Sequence, residues 1–151
     1  MMTRLNLDQK AAQYAQKIVQ AGLEAKKDAK AVENLMTKTL GVLQEQGVYA
    51  MILFLFSRSS DEERIAERIR PSLYGLLSEL PAFFQNEKLK ELQNGKVKSA
   101  LALEFYSNHV CESLDTLLLV RDLYEQTLIY ARYGAKAAKI DTNGAKSQEA
   151  N

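Results

Sequence analysis

The chain has 151 residues and a mass of 17.0 kDa, which fits one ordinary domain able to bury its core without a disulfide or metal staple. Its 46% apolar and 26% charged residues exclude wholesale disorder, and its seven glycines, two prolines and absent tryptophan argue against a turn-rich all-β protein. Twenty basic against nineteen acidic residues leave a net charge of +1, so binding to nucleic acid by bulk charge is excluded and any such contact must come from local patches or partners.

The predicted elements are helical from end to end. Asn6 and Gln9 have capping-box spacing, and behind them Ala11, Tyr14, Ala15, Ile18, Gly22 and Leu23 fall three or four apart, giving a first helix with a narrow face of small residues. Lys26 to Lys30 is polar and reads as a connection. A second helix from about Ala31 to Gln46 turns Val32, Leu35, Met36, Leu40 and Leu43 inward, and Gly47 stands where a left-handed cap is expected. Val48 to Phe56 is apolar on every side, which predicts a central helix surrounded by others. Ser60 and Glu63 repeat the capping-box pattern before a helix with Ile65, Ile69, Leu73, Leu76, Leu77 and Leu80 inward, and Pro71 is expected to kink or restart it. A break at Pro81 precedes a short helix over about Glu87 to Gln93 that stops at Asn94-Gly95. A sixth helix, Lys96 to about Val110, carries Val97, Ala100, Leu101 and Tyr106 inward, with Phe105 as a further candidate. The last helix is the longest, with Leu117, Val120, Tyr124, Leu128, Ala131, Ala135 and Ala138 in register. The expected fold is therefore an all-α, single-domain bundle of about six to seven helices over residues 1–140, followed over 141–151 by a polar, disordered tail.

Other signals place limits. The single cysteine, Cys111, makes no internal disulfide and no Cys-x-x-Cys zinc pattern occurs. Met1 to Lys10 lacks the apolar core of a signal peptide. The longest apolar run has nine residues, about half of the ~20 that a membrane span needs. A cytoplasmic protein is expected.

The catalytic inventory is poor. The one histidine, His109, lies two residues from Cys111, and helical residues so spaced point to opposite sides, so they form no nucleophile–base dyad. Phosphate-loop, dinucleotide, nucleophile-elbow and metalloprotease motifs do not occur. Glu62, Glu63 and Glu67 could be drawn as a magnesium site, but carboxylates at a helix start complement its dipole and need no ion. The expectation is a protein that is not an enzyme, with no cofactor, metal or catalytic residues.

Charge is unevenly distributed. Basic residues dominate Met1 to Lys30 and Pro81 to Ala100, where Lys88, Lys90, Lys96 and Lys98 surround the Asn94-Gly95 turn. Leu101 to Tyr130 reverses the sign, with Arg121 alone against Glu104, Glu112, Asp115, Asp122 and Glu125. Beyond it, Arg132, Lys136 and Lys139 are spaced four and three apart, on one helical face, with Tyr130 and Tyr133 flanking Arg132. Like charges so placed repel by a few tenths of a kcal/mol per pair, and a phosphate backbone relieves that repulsion while releasing counterions. The same strip also suits a cationic helix end that complements the macrodipole and stays solvated. Arg58, Arg64, Arg68 and Arg70 form a further basic group.

Two stretches carry a resemblance. Thr37-Lys38-Thr39-Leu40-Gly41-Val42-Leu43-Gln44-Glu45-Gln46-Gly47-Val48-Tyr49-Ala50, continuing through Met51 to Phe56 and Arg58, resembles the small helical subunit of type III CRISPR effector complexes, most closely the Cmr (type III-B) kind. In that family a helix ends in glycine, an apolar helix follows, and then a basic segment. Leu117 to Ala137, with Tyr124-Glu125-Gln126-Thr127-Leu128 and Tyr130-Ala131-Arg132-Tyr133, looks like the family's C-terminal helix. With Leu7-Asp8-Gln9-Lys10-Ala11 the resemblance covers most of the chain in helix order, apart from Ala82 to Lys98. It implies a non-catalytic subunit that stacks in several copies, head to tail, beside the subunits carrying the CRISPR RNA. Such a subunit helps hold the guide–target duplex in antiviral defence. The implied partners are the other effector subunits, CRISPR RNA, target RNA and further copies of itself, with no membrane. Opposite-signed surfaces suit such heterologous stacking, and phosphate contacts suffice where base pairing reads the sequence. The candidate nucleic-acid-binding residues are Arg58 and Arg132, which lie in the matching stretches, and Arg64, Arg68, Lys136 and Lys139, which rest on spacing alone. The alternative reading is a protein-only helical adaptor that binds a partner through its charged faces, the acidic one around Asp115, Asp122 and Glu125 included.

Overall fold

The computed structural model describes residues 6–93 and 97–149, with side chains as far as Thr142. These described residues form seven α-helices and no strand: α1 Leu7–Ala25, α2 Ala29–Gln46, α3 Val48–Phe56, α4 Ser60–Ser78, α5 Glu87–Gln93, α6 Ser99–Phe105 and α7 Leu114–Glu149. At 36 residues, α7 is about 54 Å long, and it is the spine of an all-α bundle. It packs along both α1 and α2, α1 also lies against α4, and α3 bridges α2, α4 and α6.

Side-chain contacts fix the directions. Tyr130 on α7 donates to Asp8 at the start of α1, while Ala138 and Lys139 share a cavity with Leu23 and Lys27 at its end, so α7 runs parallel to α1. Arg121 reaches the Gln44 carbonyl near the end of α2 at 3.0 Å, so α7 runs antiparallel to α2. Glu79, just past the end of α4, accepts from Tyr14 at 3.0 Å and Asp61 in its first turn pairs with Lys26, which sets α4 antiparallel to α1. At Gly134 α7 lies close against α1; a Cβ there would lie 3.2 Å from the Val19 methyl. The expected narrow face of α1 is buried as Ala11, Tyr14, Ala15, Ile18 and Gly22.

The starts of α1 and α2 follow the capping rules, whereas α4 and α6 begin without a side-chain cap bond. Asn6 accepts from the Gln9 amide at 3.0 Å and Asp28 from the Ala31 amide at 3.2 Å. Gly47 joins α2 to α3 at φ 99°, ψ −174°, a positive φ suited to glycine but outside the left-handed helical well. The Ser60–Glu63 box does not form: Ser59 occupies the cap position without a side-chain bond, and Ser60 has φ 55°.

The two buried threonines satisfy their hydroxyls within their own helices, and the two most deeply buried tyrosines satisfy theirs across helices. Thr39 and Thr127 are fully buried and donate to the carbonyls of Leu35 and Leu123 at 2.7 and 2.8 Å. Tyr124 donates to the Leu73 carbonyl at 3.0 Å and, its own proton being used, accepts from Tyr106 across 2.6 Å. Burial pushes both phenols well above the ordinary tyrosine range.

Four expectations are corrected. Pro71 does not restart α4, which is continuous from Ser60 to Ser78 because Ile65, Ala66, Ile69, Leu73, Leu76 and Leu77 anchor it on both sides of the proline. Helix α3 is not enclosed all round: Leu53 and Tyr49 are 47% and 39% exposed, while Val48, Met51, Ile52 and Leu55 face the core. The sixth helix is shorter than predicted and rotated. Ala100 and Leu101 face solvent, Ala102, Phe105 and Tyr106 face inward, and a π-helical turn over Tyr106–Val110 leads towards α7. The polar segment expected as a tail is helical as far as Glu149, and the Asn94-Gly95 stop lies outside the described residues.

Candidate nucleic-acid interface

The basic candidates separate by how their charge is used. Arg58 sits at the end of α3, its side chain 25% exposed. Its Nε donates to the Phe54 carbonyl at 3.1 Å, a terminal amine donates to Ser57 Oγ at 3.1 Å, and the guanidinium lies 3.7 Å from the Phe54 ring centre. Glu62 stands 3.8 Å away. Arg58 is thus a helix-end residue that satisfies a terminal carbonyl and covers an aromatic face. Arg68 is exposed but spans to Glu24 of α1 at 3.0 Å. Arg70 donates to the Leu55 carbonyl at 3.2 Å and lies over Phe56 at 4.0 Å; burial pulls its pKa down. Arg64 is exposed on α4, and its charge, after the larger effect of Lys26, helps hold the Asp61 carboxyl below its usual range.

The α7 residues differ. Arg132 and Lys136 are exposed, Lys139 is half-buried, and none has an ion-pair partner among the described residues. Over seven residues they run along about 10 Å of helix. Tyr133 beside Arg132 is 64% exposed, an aromatic face free to stack on a base. Tyr130 instead turns to α1 and is tied to Asp8, a bond that raises its pKa. A strip of uncompensated cations beside an exposed ring can bind a phosphate backbone without reading its sequence.

The structure adds two residues that sequence reasoning missed. Lys27 and Lys30, from the connection between α1 and α2 and the first turn of α2, line the same concavity as Lys139. Their separation in sequence from Lys139 left no local pattern that could have joined them. A larger groove between α1 and α7, about 720 Å³, is lined by Ala12, Ala15, Val19, Leu23, Tyr130 and Gly134 together with Gln16, Gln20, Glu24 and Lys27; its one cation is matched by one carboxylate, so it carries no net positive charge for a phosphate.

At the opposite end of α7 the sign reverses. Leu114, Leu118 and Leu119 are 68%, 46% and 39% exposed, with exposed Glu112, Asp115 and Asp122 around them, while Arg121 is turned to the end of α2. His109 lies against the Phe105 ring at 5.2 Å, and Glu62 is paired with Lys38 at 3.1 Å as well as with Arg58. Among the described residues no group of three or more His, Cys, Asp or Glu side chains is placed to hold a metal ion, and no helix is long and apolar enough to cross a membrane.

No protein-family model matches the chain, and no curated protein or solved structure is significantly similar to it.

Proposed function

We propose that this chain is a non-catalytic small subunit of a type III CRISPR ribonucleoprotein effector, most like the Cmr kind. It stacks beside the subunits that carry the CRISPR RNA and helps hold the guide–target duplex through phosphate contacts, in the cytoplasm. The observation that carries the reading is the unpaired strip of Arg132, Lys136 and Lys139 beside the exposed Tyr133 on α7. It is joined by the resemblance of residues 37–58 and 117–137 and by the acidic, leucine-bearing surface at the other end of the same helix, which suits head-to-tail contacts between copies. A modest strip is sufficient in such an assembly because every copy repeats it. Arg58 and Arg68, already engaged within the fold, contribute little; the contacts fall to Arg132, Lys136 and Lys139, with Arg64 as an outlying cation.

The test is purification of a tagged copy from its own host. A uniform set of guide-length RNAs recovered with several larger proteins supports the reading. Protein partners recovered without RNA overturn it in favour of the second reading, a protein-only adaptor, for which the exposed Leu114, Leu118 and Leu119 among acidic side chains are the specific observation.

A further inference from the structure

We infer that the corner where α1, α2 and α7 meet is a phosphate-binding pocket built by Lys27, Lys30 and Lys139. The inference rests on the RNA-contacting reading for the source of its phosphate, but not for the site itself. The concavity has a volume of about 450 Å³ and is lined by the three lysines with Leu23, Asp28, Ala29, Ala138 and Thr142. The lysines come from three places: just past the end of α1, the first turn of α2, and α7. Convergence of separate elements distinguishes this corner from a run of lysines along one solvated face.

Three observations make the pocket an anion site. None of the three ammonium groups has an ion-pair partner among the described residues, although neighbouring Lys26 is paired with Asp61 and Lys10 with Glu79. The lining holds three ammonium groups against one carboxylate, Asp28, and so has a net excess of positive charge; one Asp28 oxygen is also committed to the Ala31 amide. Thr142 spends its proton on the Ala138 carbonyl at 3.0 Å. The recognition therefore falls to ammonium groups, flexible donors that surround a tetrahedral oxyanion and are ill-suited to a planar, bidentate fork. Since Asp28 already takes an α2 amide, the positive potential is that of the side chains and not of the helix end.

The pocket also gives the α7 strip a terminus. Lys139 belongs to both, so a strand whose phosphates follow Arg132 and Lys136 meets Lys139 next and is received by Lys27 and Lys30 on the neighbouring helices. A strip on one helix binds a strand along any register; a pocket on three helices fixes one phosphate. The ligand class is a phosphate oxyanion, from a polynucleotide backbone or from free inorganic phosphate.

The full chain and a K27Q/K30Q variant, which leaves the α7 strip intact, decide it, with two probes. One is a fluorescein-labelled uridine oligonucleotide lacking terminal phosphates, bound across a salt titration and followed by anisotropy. The other is inorganic pyrophosphate, followed as the shift in melting temperature against sodium chloride at matched ionic strength. The expected result is that the variant keeps its helicity, that its slope of log affinity against log salt is shallower by about 0.7, the share of one phosphate on a single strand, and that pyrophosphate stabilises only the parent protein. An oligonucleotide bound by both proteins with the same slope overturns the pocket while leaving the α7 strip standing. Pyrophosphate stabilisation that the variant loses, with no oligonucleotide bound by either, supports the pocket with free phosphate as its source and overturns the RNA reading. Failure of both probes on the parent protein overturns both.

Discussion

Replacing charge on α7 and at the end of α3 should have opposite consequences, and the contrast tests the division of the arginines. In R132Q/K136Q two exposed cations without ion-pair partners among the described residues are neutralised. No hydrogen bond or ion pair among the described residues is lost, and two repulsions, Arg132–Lys136 at i, i+4 and Lys136–Lys139 at i, i+3, each a few tenths of a kcal/mol, are removed. Stability should be unchanged or slightly raised, while the salt slope of single-stranded RNA binding falls by about 1.4, the share of two phosphates. R58Q should do the reverse. That side chain donates to the Phe54 carbonyl and to Ser57 Oγ, covers the Phe54 ring at 3.7 Å and faces Glu62 at 3.8 Å. Hydrogen bonds from a charged donor and a partly shielded cation–π contact together contribute about 1–2 kcal/mol; the outlying Glu62 adds little at its exposure. Urea unfolding followed by circular dichroism reads the first quantity, and anisotropy across a salt titration reads the second. R58Q retaining full stability but losing RNA affinity, with R132Q/K136Q leaving the slope intact, would refute the assignment of both residues.

Other predictions concern the core. Y124F removes both the donor to the Leu73 carbonyl and the acceptor for Tyr106, and should lower the unfolding free energy by about 1–3 kcal/mol; Y106F, which leaves Tyr124 bonded to Leu73, should lower it less in the same urea titration. G134V puts a side chain where a Cβ alone meets Val19 at 3.2 Å, so thermal melts should show a loss of about 1–3 kcal/mol as α1 is pushed from α7. Alkali should unfold the protein cooperatively. Burial raises the pKa of Tyr74 to about 12 and those of Tyr106 and Tyr124 well above the ordinary value, so the folded chain holds these protons more tightly than the unfolded one. Their stabilisation is complete below the unfolded tyrosine value of about 10 and is lost as pH rises through the folded values, at about 1.4 kcal/mol per pH unit for each. Tyrosinate absorbance from these three should appear together with loss of helicity; titration of all tyrosines at the exposed value, with the fold intact, would contradict the burial.

Local chemistry was legible where one turn of chain decides it. The spacing of Ala11, Tyr14, Ala15 and Ile18 sets the buried face of α1 because a helix returns to the same side every three or four residues. The Asn6 cap is visible because its partner is three residues away. The capping box at Ser60 failed for the same locality: Ser59, one residue earlier, has the extended backbone that a cap requires. Pro71 misled because propensity speaks of an isolated helix, whereas buried side chains on both sides hold α4 together.

The α7 strip was legible from spacing alone, since Arg132, Lys136 and Lys139 share one face whatever surrounds the helix. What the sequence by itself determined, then, is the helical class, the order of the helices, most of their inward faces and a cationic strip on the last of them. All of these are consequences of helical period acting over a few residues. Only the tertiary structure decided which charges remain available. Arg68 is engaged by Glu24, 44 residues away, and Lys38 by Glu62, 24 residues away. Lys27 and Lys30 meet Lys139 only because α7 runs parallel to α1 and antiparallel to α2. Pairing and convergence of this kind depend on how helices are laid against one another, which side-chain packing fixes across the whole chain and no local pattern records.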